Sequence, residues 1–441
     1  MYLARSQPEG LALALVSMVC WGSWSNTVVF CGNRLRFELY YINYVVSILG
    51  TSVLAALTLG MIPIAGCQQC APRFIPEDMQ AGGDRFCLGM AAGAIFNLAN
   101  LMLTKGIQMC GLAVAFPLCI GTALVFGTLL THFLEGGQGT ETEPALLFTG
   151  VAVAFAAVCA ISLVHRLKDA QKAAGEAQAD VERPCGADKA AAGSGPQLQL
   201  PVGAAAGGRS PGGSARSPRS PFSAAQRGTV EEKSPMAAVA PPAGEAAAEA
   251  EAPGAASASQ EVAAPEVHVP GTTRKLLVCI VGGVLMSFWA PLNAMAQDGF
   301  GSAQGPAGLS PFGAFFAFCV GTFLSTLLLI PIVLMYPLEG GKGVPVLRTL
   351  GEYRKASCTA HLYGLLGGFI WAVGTLSNSI SGQQLSFAAS YAIGQSAPMI
   401  SILWGVFLFR EFNGATSTVK ALLVLVCALY VISISLIAAS H

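Results

Sequence analysis

The chain has 441 residues, 53% of them hydrophobic and 11% charged, with a mean hydropathy of +0.59 and no formal net charge. Soluble domains are about a quarter charged, so water is not the main solvent of this chain. Balanced charge also supplies no global field to recruit nucleic acid or acidic ligands, and no nucleic-acid partner is expected.

A spanning helix needs about 20 mostly apolar residues. Ten windows qualify, at roughly 10–30, 39–60, 86–107, 111–133, 144–164, 276–296, 311–336, 361–381, 385–409 and 416–438. None alternates in polarity as a barrel strand would, so the fold class expected is all-α integral membrane. The first window lacks a basic start and runs on through Trp21 and Trp24, which reads as a retained helix rather than a cleaved leader. Most of the 13 cysteines fall in apolar runs and read as small hydrophobes. Cys67 and Cys70 form a lone CxxC with no second pair, which argues against zinc.

Between the fifth and sixth windows, residues 166–272 are dominated by Ala, Gly, Pro, Ser and Glu. Such a stretch buries too little apolar surface to offset chain entropy, and it reads as a disordered linker. Three units follow: a first membrane half at 1–165, the linker at 166–272, and a second half at 273–441. The linker has no GxxxxGK[ST] phosphate cradle, and Ser210, Ser217, Ser220 and Ser234 each precede proline, as a proline-directed kinase requires. With the N-terminus outside, fourteen short-loop Lys and Arg fall inside against three outside, so both termini are expected outside and the linker in the cytosol.

Five helices per half would give two homologous halves opposite topology, an arrangement that builds alternating access around a midplane site. Gly89 and Gly93 of the third window recur as Gly364 and Gly368 of the eighth, and Glu135 at the end of the fourth recurs as Glu411 at the end of the ninth. Trp21, Trp24 and Asn26 in the first window are echoed by Trp289 and Asn293 in the sixth.

Polar groups within spans are the default site candidates. Here they are uncharged, and Trp21, Trp24, Asn100, Trp289, Asn293, Gln383, Tyr391 and Gln395 form the expected substrate-binding set. Amides donate and accept while indoles offer flat faces, a lining that suits a neutral, planar, hydrogen-bonding solute. Lys105 is expected to snorkel to the cytosolic interface. Glu38, Glu135 and Glu411 sit at helix ends, so no buried carboxylate is expected. Pro117 and Pro398 interrupt the fourth and ninth windows. There is no GxSxG, no HExxH and no clustering of the five histidines, so neither catalysis nor a cofactor or metal is expected.

Several stretches together resemble the ureide permease family of the drug/metabolite transporter superfamily. They are Met1-Tyr2, Gly22-Ser23-Trp24, Tyr41 to Tyr44 leading to Ala56–Gly60, Asn100-Leu101 with Gly111-Leu112, and Gly127 to Leu134. The C-terminal run Gly382-Gln383, Ala388-Ala389, Pro398, Trp404-Gly405, Phe409 and Glu411 is similar to that family's GGQ, WG and F.E segment. The resemblance implies a ten-helix plasma-membrane carrier with a long cytosolic central loop. It also implies import of allantoin, uracil, xanthine and related oxo-heterocycles, with protons as the coupling ion. Asn43 stands where family members carry an Asp, and the Walker-A-like element of the family's loop is absent. A sugar or nucleotide-sugar carrier, and a membrane receptor or scaffold acting through the linker, are the alternative readings. The sequence does not specify an oligomeric state.

Overall fold

Hydropathy windows become helices because a backbone surrounded by hydrocarbon must satisfy its own hydrogen bonds. The computed structural model describes residues 1–63, 72–80, 83–110, 112–136, 143–181, 272–297, 308–337 and 343–440. The Cys67/Cys70 pair and the four Ser-Pro sites lie outside them. Among the described residues, eight helices are long and apolar enough to cross a membrane, and the extended structure is a single bridge between Gln297 and Leu309.

In chain order, the first half contains α1 (Gln7–Ser23), α2 (Asn26–Cys31), α3 (Phe37–Leu57), α4 (Gly83–Cys110), α5 (Leu112–Ala115), α6 (Thr122–Leu134) and α7 (Pro144–Val181). The second half contains α8 (Thr272–Ala296), α9 (Pro311–Met335), α10 (Val346–Lys355), α11 (Cys358–Gly382), α12 (Phe387–Gly394), α13 (Ala397–Phe407) and α14 (Ser417–Ala439). Every sequence window holds helix. α7 runs on to Val181, past the position 165 at which the first half was expected to end, through an Ala-, Gln- and Glu-rich stretch of strong helix formers.

The fourth and ninth windows do not form continuous long helices, and the first is interrupted at Trp24 and Ser25 between α1 and α2. In the fourth, a π-helical turn at Phe116–Gly121 separates α5 from α6, and it contains Pro117. In the ninth, the chain breaks between Gly394 and Ala397, and Pro398 sits in the first turn of α13. A proline has no N–H to donate back along the ladder, so the α-helical register fails at both places. α10, which the windows do not include, is a short helix with Leu347 and Leu350 exposed beside Arg348, Arg354 and Lys355.

Lipid tails are as apolar as leucine, so helices in a bilayer associate through close packing rather than hydrophobic exclusion. The contacts follow that rule with a regular pattern. α4 packs on α8 and α9, while α11 packs on α1 and α3; α6 meets α8, while α1 meets α12 and α13; α3 meets α9, and α7 meets α14. Exchanging the two halves leaves this set of pairs unchanged. The glycine pairs that suggested a repeat sit at the matched seams. Gly89 and Gly93 lie against Ala314, Ala317 and Phe318 of α9, and Gly364 and Gly368 lie against Tyr40, Asn43 and Tyr44 of α3. Side chains such as Leu54, Phe126, Leu328, Phe407 and Val424 remain exposed on the outside of the bundle, where acyl chains would cover them.

Candidate functional site

A cavity of about 320 Å³ lies between the two halves. It runs from an aromatic wall at mid-bundle, made by Trp21, Trp24, Trp289, Trp371 and Phe96, to His165, Glu411 and Phe412 at the end of the bundle. The wall is built edge to face. Trp289 meets Trp21 at 5.8 Å between ring centroids and Phe96 at 5.6 Å, and Phe96 tilts onto Trp371 at 4.7 Å. Such offset and T-shaped pairs hold the rings rigidly while leaving faces and edges for a planar guest.

The indole of Trp21 is fixed because its Nε1 donates to Thr375 Oγ1 at 3.0 Å. Asn100 is fixed by a chain: its Nδ2 donates to Tyr41 Oη at 3.1 Å, and Tyr41 donates to Asn97 Oδ1 at 2.8 Å. Asn97 anchors the chain on α9, donating to Ser325 Oγ at 2.8 Å and Thr326 Oγ1 at 2.9 Å. Asn97 is therefore interhelical glue. Asn100 lines the cavity with its amide nitrogen bonded to Tyr41 and its carbonyl oxygen without a protein partner among the described residues.

Beyond Trp289, at the other end of the bundle, lies a second and much smaller chamber of about 20 Å³. Trp289, Asn293 and Tyr391 line it, and the hydroxyl of Tyr391 donates to the Ala123 carbonyl at 3.3 Å. This end is sealed by Glu135, which accepts from the backbone N–H of Phe387 at 3.0 Å and of Ala388 at 3.4 Å, tying α6 to the start of α12. At the matched position Glu411 stands at the mouth of the larger cavity, paired with Lys168 at 3.2 Å.

Of the eight residues expected to bind substrate, Trp21, Trp24, Asn100, Trp289 and Gln395 line the larger cavity, and Trp289, Asn293 and Tyr391 line the smaller. Gln383 lines neither; it caps the end of α11, where its N–H donates to the Ile380 carbonyl. Trp371 and Phe96 were not anticipated. Trp371 was the discoverable one, since four of the five tryptophans in the chain line the cavity.

Two expectations about charge are corrected. Lys105 does not snorkel to water: it is 2% exposed and its Nζ lies 2.9 Å from Glu38 Oε1. Glu38 and Glu135 are likewise buried, because α3 and α6 end against neighbouring helices rather than in solvent. Lys105 is not among the described residues that line the cavity. Asn43 is also not among the described residues lining the cavity. It accepts from Tyr353 Oη at 2.6 Å and lies 3.1 Å from His361 Nδ1, clamping α10 and α11 onto α3.

Comparison with known proteins agrees with this architecture. A family model described as ureide permease matches residues 40–192 and 264–440. The chain is 24% identical to ureide permease 2 of Arabidopsis thaliana, over 98% of this chain and 96% of that protein. It is 23% identical to ureide permease 1 of the same plant, over 100% of this chain and 99% of the relative.

Proposed function

The chain belongs to the ureide permease family of multi-pass membrane transporters, and from that premise we propose that it carries ureides and related neutral oxo-heterocycles across the membrane by alternating access. The observation that carries the reading is the larger cavity. It is walled by aromatic faces and amides, reaches one end of the bundle, and is closed from the other by the Trp289 layer and the Glu135 seal. At about 320 Å³ it is at the small end of ligand pockets, as a single heterocycle requires.

Ureides and pyrimidine or purine diones are flat, uncharged, and carry N–H donors beside carbonyl acceptors. The indole faces would stack on the ring, and the spare oxygen of Asn100 would accept a ring N–H. Buried polar contacts of this kind reject analogues that lack the matching group, because the protein atom is then left unpaired. Two halves with matched contacts would rock about the shared seams, closing the mouth at Glu411 as the Glu135 end opens.

Charge distribution supports both termini outside and the linker in the cytosol. The larger cavity then opens inward, and the membrane proposed is the plasma membrane. In that placement the linker Ser-Pro sites would be open to a kinase.

The test is uptake of radiolabelled allantoin and uracil by cells expressing the chain, competed by unlabelled allantoin, uracil, xanthine or a nucleotide sugar. Saturable uptake blocked by the heterocycles but not by the nucleotide sugar is expected. Absence of uptake above background for both labels, with the protein at the cell surface, overturns the substrate claim.

A further inference from the structure

The smaller chamber, beyond Trp289, has an unusual balance of polar groups. Asn293 and Gln297 are 4% and 3% exposed, and Asn293 Oδ1 and Gln297 Oε1 have no hydrogen-bond partner among the described residues. Each nitrogen makes one donation: Gln297 Nε2 donates to the Asn293 carbonyl at 3.4 Å and Asn293 Nδ2 to Ser379 Oγ at 3.5 Å. Asn378, on the facing helix, repeats the pattern. Its Nδ2 donates to the Ser390 carbonyl at 2.8 Å, and its Oδ1 has no protein partner among the described residues. A backbone carbonyl accepts and never donates, so the amides of Gln297 and Asn378 must be oriented with nitrogen toward it and oxygen away.

Three carboxamide oxygens thus line one small void, and of the other side-chain polar atoms lining it Trp289 Nε1 is the one with no hydrogen-bond partner among the described residues. A water has two protons and satisfies at most two of three acceptors. A cation satisfies all of them at once. The setting favours positive charge in a second way. Asn293 and Gln297 stand at the C-terminal end of α8, and Asn378 and Ser379 stand near the C-terminal end of α11. Both helix ends turn their carbonyls and the negative pole of their dipoles toward this region. The end of α8 already draws one cation, Arg85, which donates to the Met295 carbonyl.

The void of about 20 Å³ is the size of one water-sized particle. No carboxylate lines it, so neutral oxygens would do the binding, which suits a monovalent ion far better than a divalent one. We propose that this chamber is a sodium-sized cation site, formed by Asn293 Oδ1, Gln297 Oε1, Asn378 Oδ1 and Ser379 Oγ. The ion neutralises the orphaned oxygens and steadies the ends of α8 and α11. Its use as a coupling ion rests on the carrier reading; its binding does not.

The test uses the purified full-length chain in detergent, titrated with NaCl at constant ionic strength against choline chloride. The readouts are tryptophan fluorescence, which Trp289 reports from the chamber wall, and the thermal midpoint. A saturable, sodium-specific change in both is expected, lost in Gln297→Leu and in Asn378→Leu. Gln297→Glu places a charge on the ion and is expected to tighten sodium binding at least about tenfold, a gain that misfolding cannot mimic. The same response in choline and sodium, or an undiminished sodium response in both leucine variants, overturns the site and leaves a chamber holding water only. Solute uptake measured with sodium replaced by choline separates the two ideas: uptake that persists in choline, with no sodium binding by the pure protein, removes the cation site and leaves the carrier.

Discussion

Asn100 shows how a single amide gains specificity from its neighbours. Tyr41 accepts from its nitrogen and is itself held by Asn97, which fixes the amide with its oxygen free to act as an acceptor. Asn100→Leu is expected to raise the half-saturation concentration for solute about tenfold, the weight of one net hydrogen bond of about 1.4 kcal/mol, with little change in protein abundance. Tyr41→Phe, which frees the amide to rotate, is expected to have a smaller effect in the same direction; uptake kinetics of both variants check this.

The Glu38–Lys105 pair is structural by contrast. Removing Lys105 leaves the buried Glu38 with only the more exposed Arg36, 3.6 Å away, and Lys105→Met is expected to cost about 3 kcal/mol of stability. Replacing both residues with apolar ones of similar size is expected to restore most of that loss in a thermal unfolding assay.

Glu135, just past the end of α6, behaves differently. Burial raises its pKa above the ordinary carboxylate range, and the N–H groups of Phe387 and Ala388 pull it part of the way back. A raised folded pKa means that this group's contribution to stability is present below the unfolded value and is lost as pH rises through the folded one. Thermal midpoints of the wild-type chain should therefore carry a downward component across that window, and Glu135→Gln should flatten it.

The sequence revealed the aromatic and amide character of the site because Trp and Asn are conspicuous within apolar runs. It did not reveal Glu38 paired with Lys105. The two residues are 67 positions apart and each reads singly as a helix-end charge, so burial of the pair appears only when α3 is laid against α4. Gln383 failed as a site residue for a related reason. It shares a polar cluster with true lining residues, but the end of α11 turns it away from both cavities.

At the scale of elements, small residues decide where helices meet. A Cβ at Gly93 would strike the Phe318 carbonyl, and one at Gly368 would strike the Tyr44 carbonyl, both on backbone that cannot swing aside. Gly93→Ala and Gly368→Ala are each expected to destabilise the bundle by about 1–3 kcal/mol. Gly50→Ala, on the same helix as Tyr44 but with nothing within 4 Å, is expected to be neutral or slightly stabilising. Thermal midpoints of the three variants in one detergent check the contrast.

The spacing of those glycines was readable as a repeat in the sequence, since close approach demands a missing side chain at fixed positions. The partners were not readable. Ala317 and Asn43 share no chemistry, yet they occupy matched places because the glycine fixes the geometry and tolerates either neighbour. The proline breaks of the fourth and ninth windows were also visible in advance. The π-helical form of the first break was not, because a missing N–H does not dictate how the chain absorbs it: Pro291 and Pro331 sit inside the continuous α8 and α9.

At the scale of the whole molecule, the two halves make matched sets of contacts but close only one end. Glu135 holds the start of α12 at one end, while Glu411 at the other stands by an open mouth with Lys168. Matched contacts with unmatched ends are what the proposed alternating-access carrier requires of one of its two states. Deleting residues 185–265 is expected to leave transport intact, since the described lining of the cavity lies on the two membrane halves.

The most direct test of the carrier reading is exchange in proteoliposomes preloaded with labelled allantoin. Unlabelled allantoin added outside should accelerate efflux of the label, because a loaded carrier returns faster than one that must reorient alone. Efflux that is indifferent to outside solute would contradict alternating access and point to a pore; no protein-dependent efflux at all would contradict allantoin as its cargo.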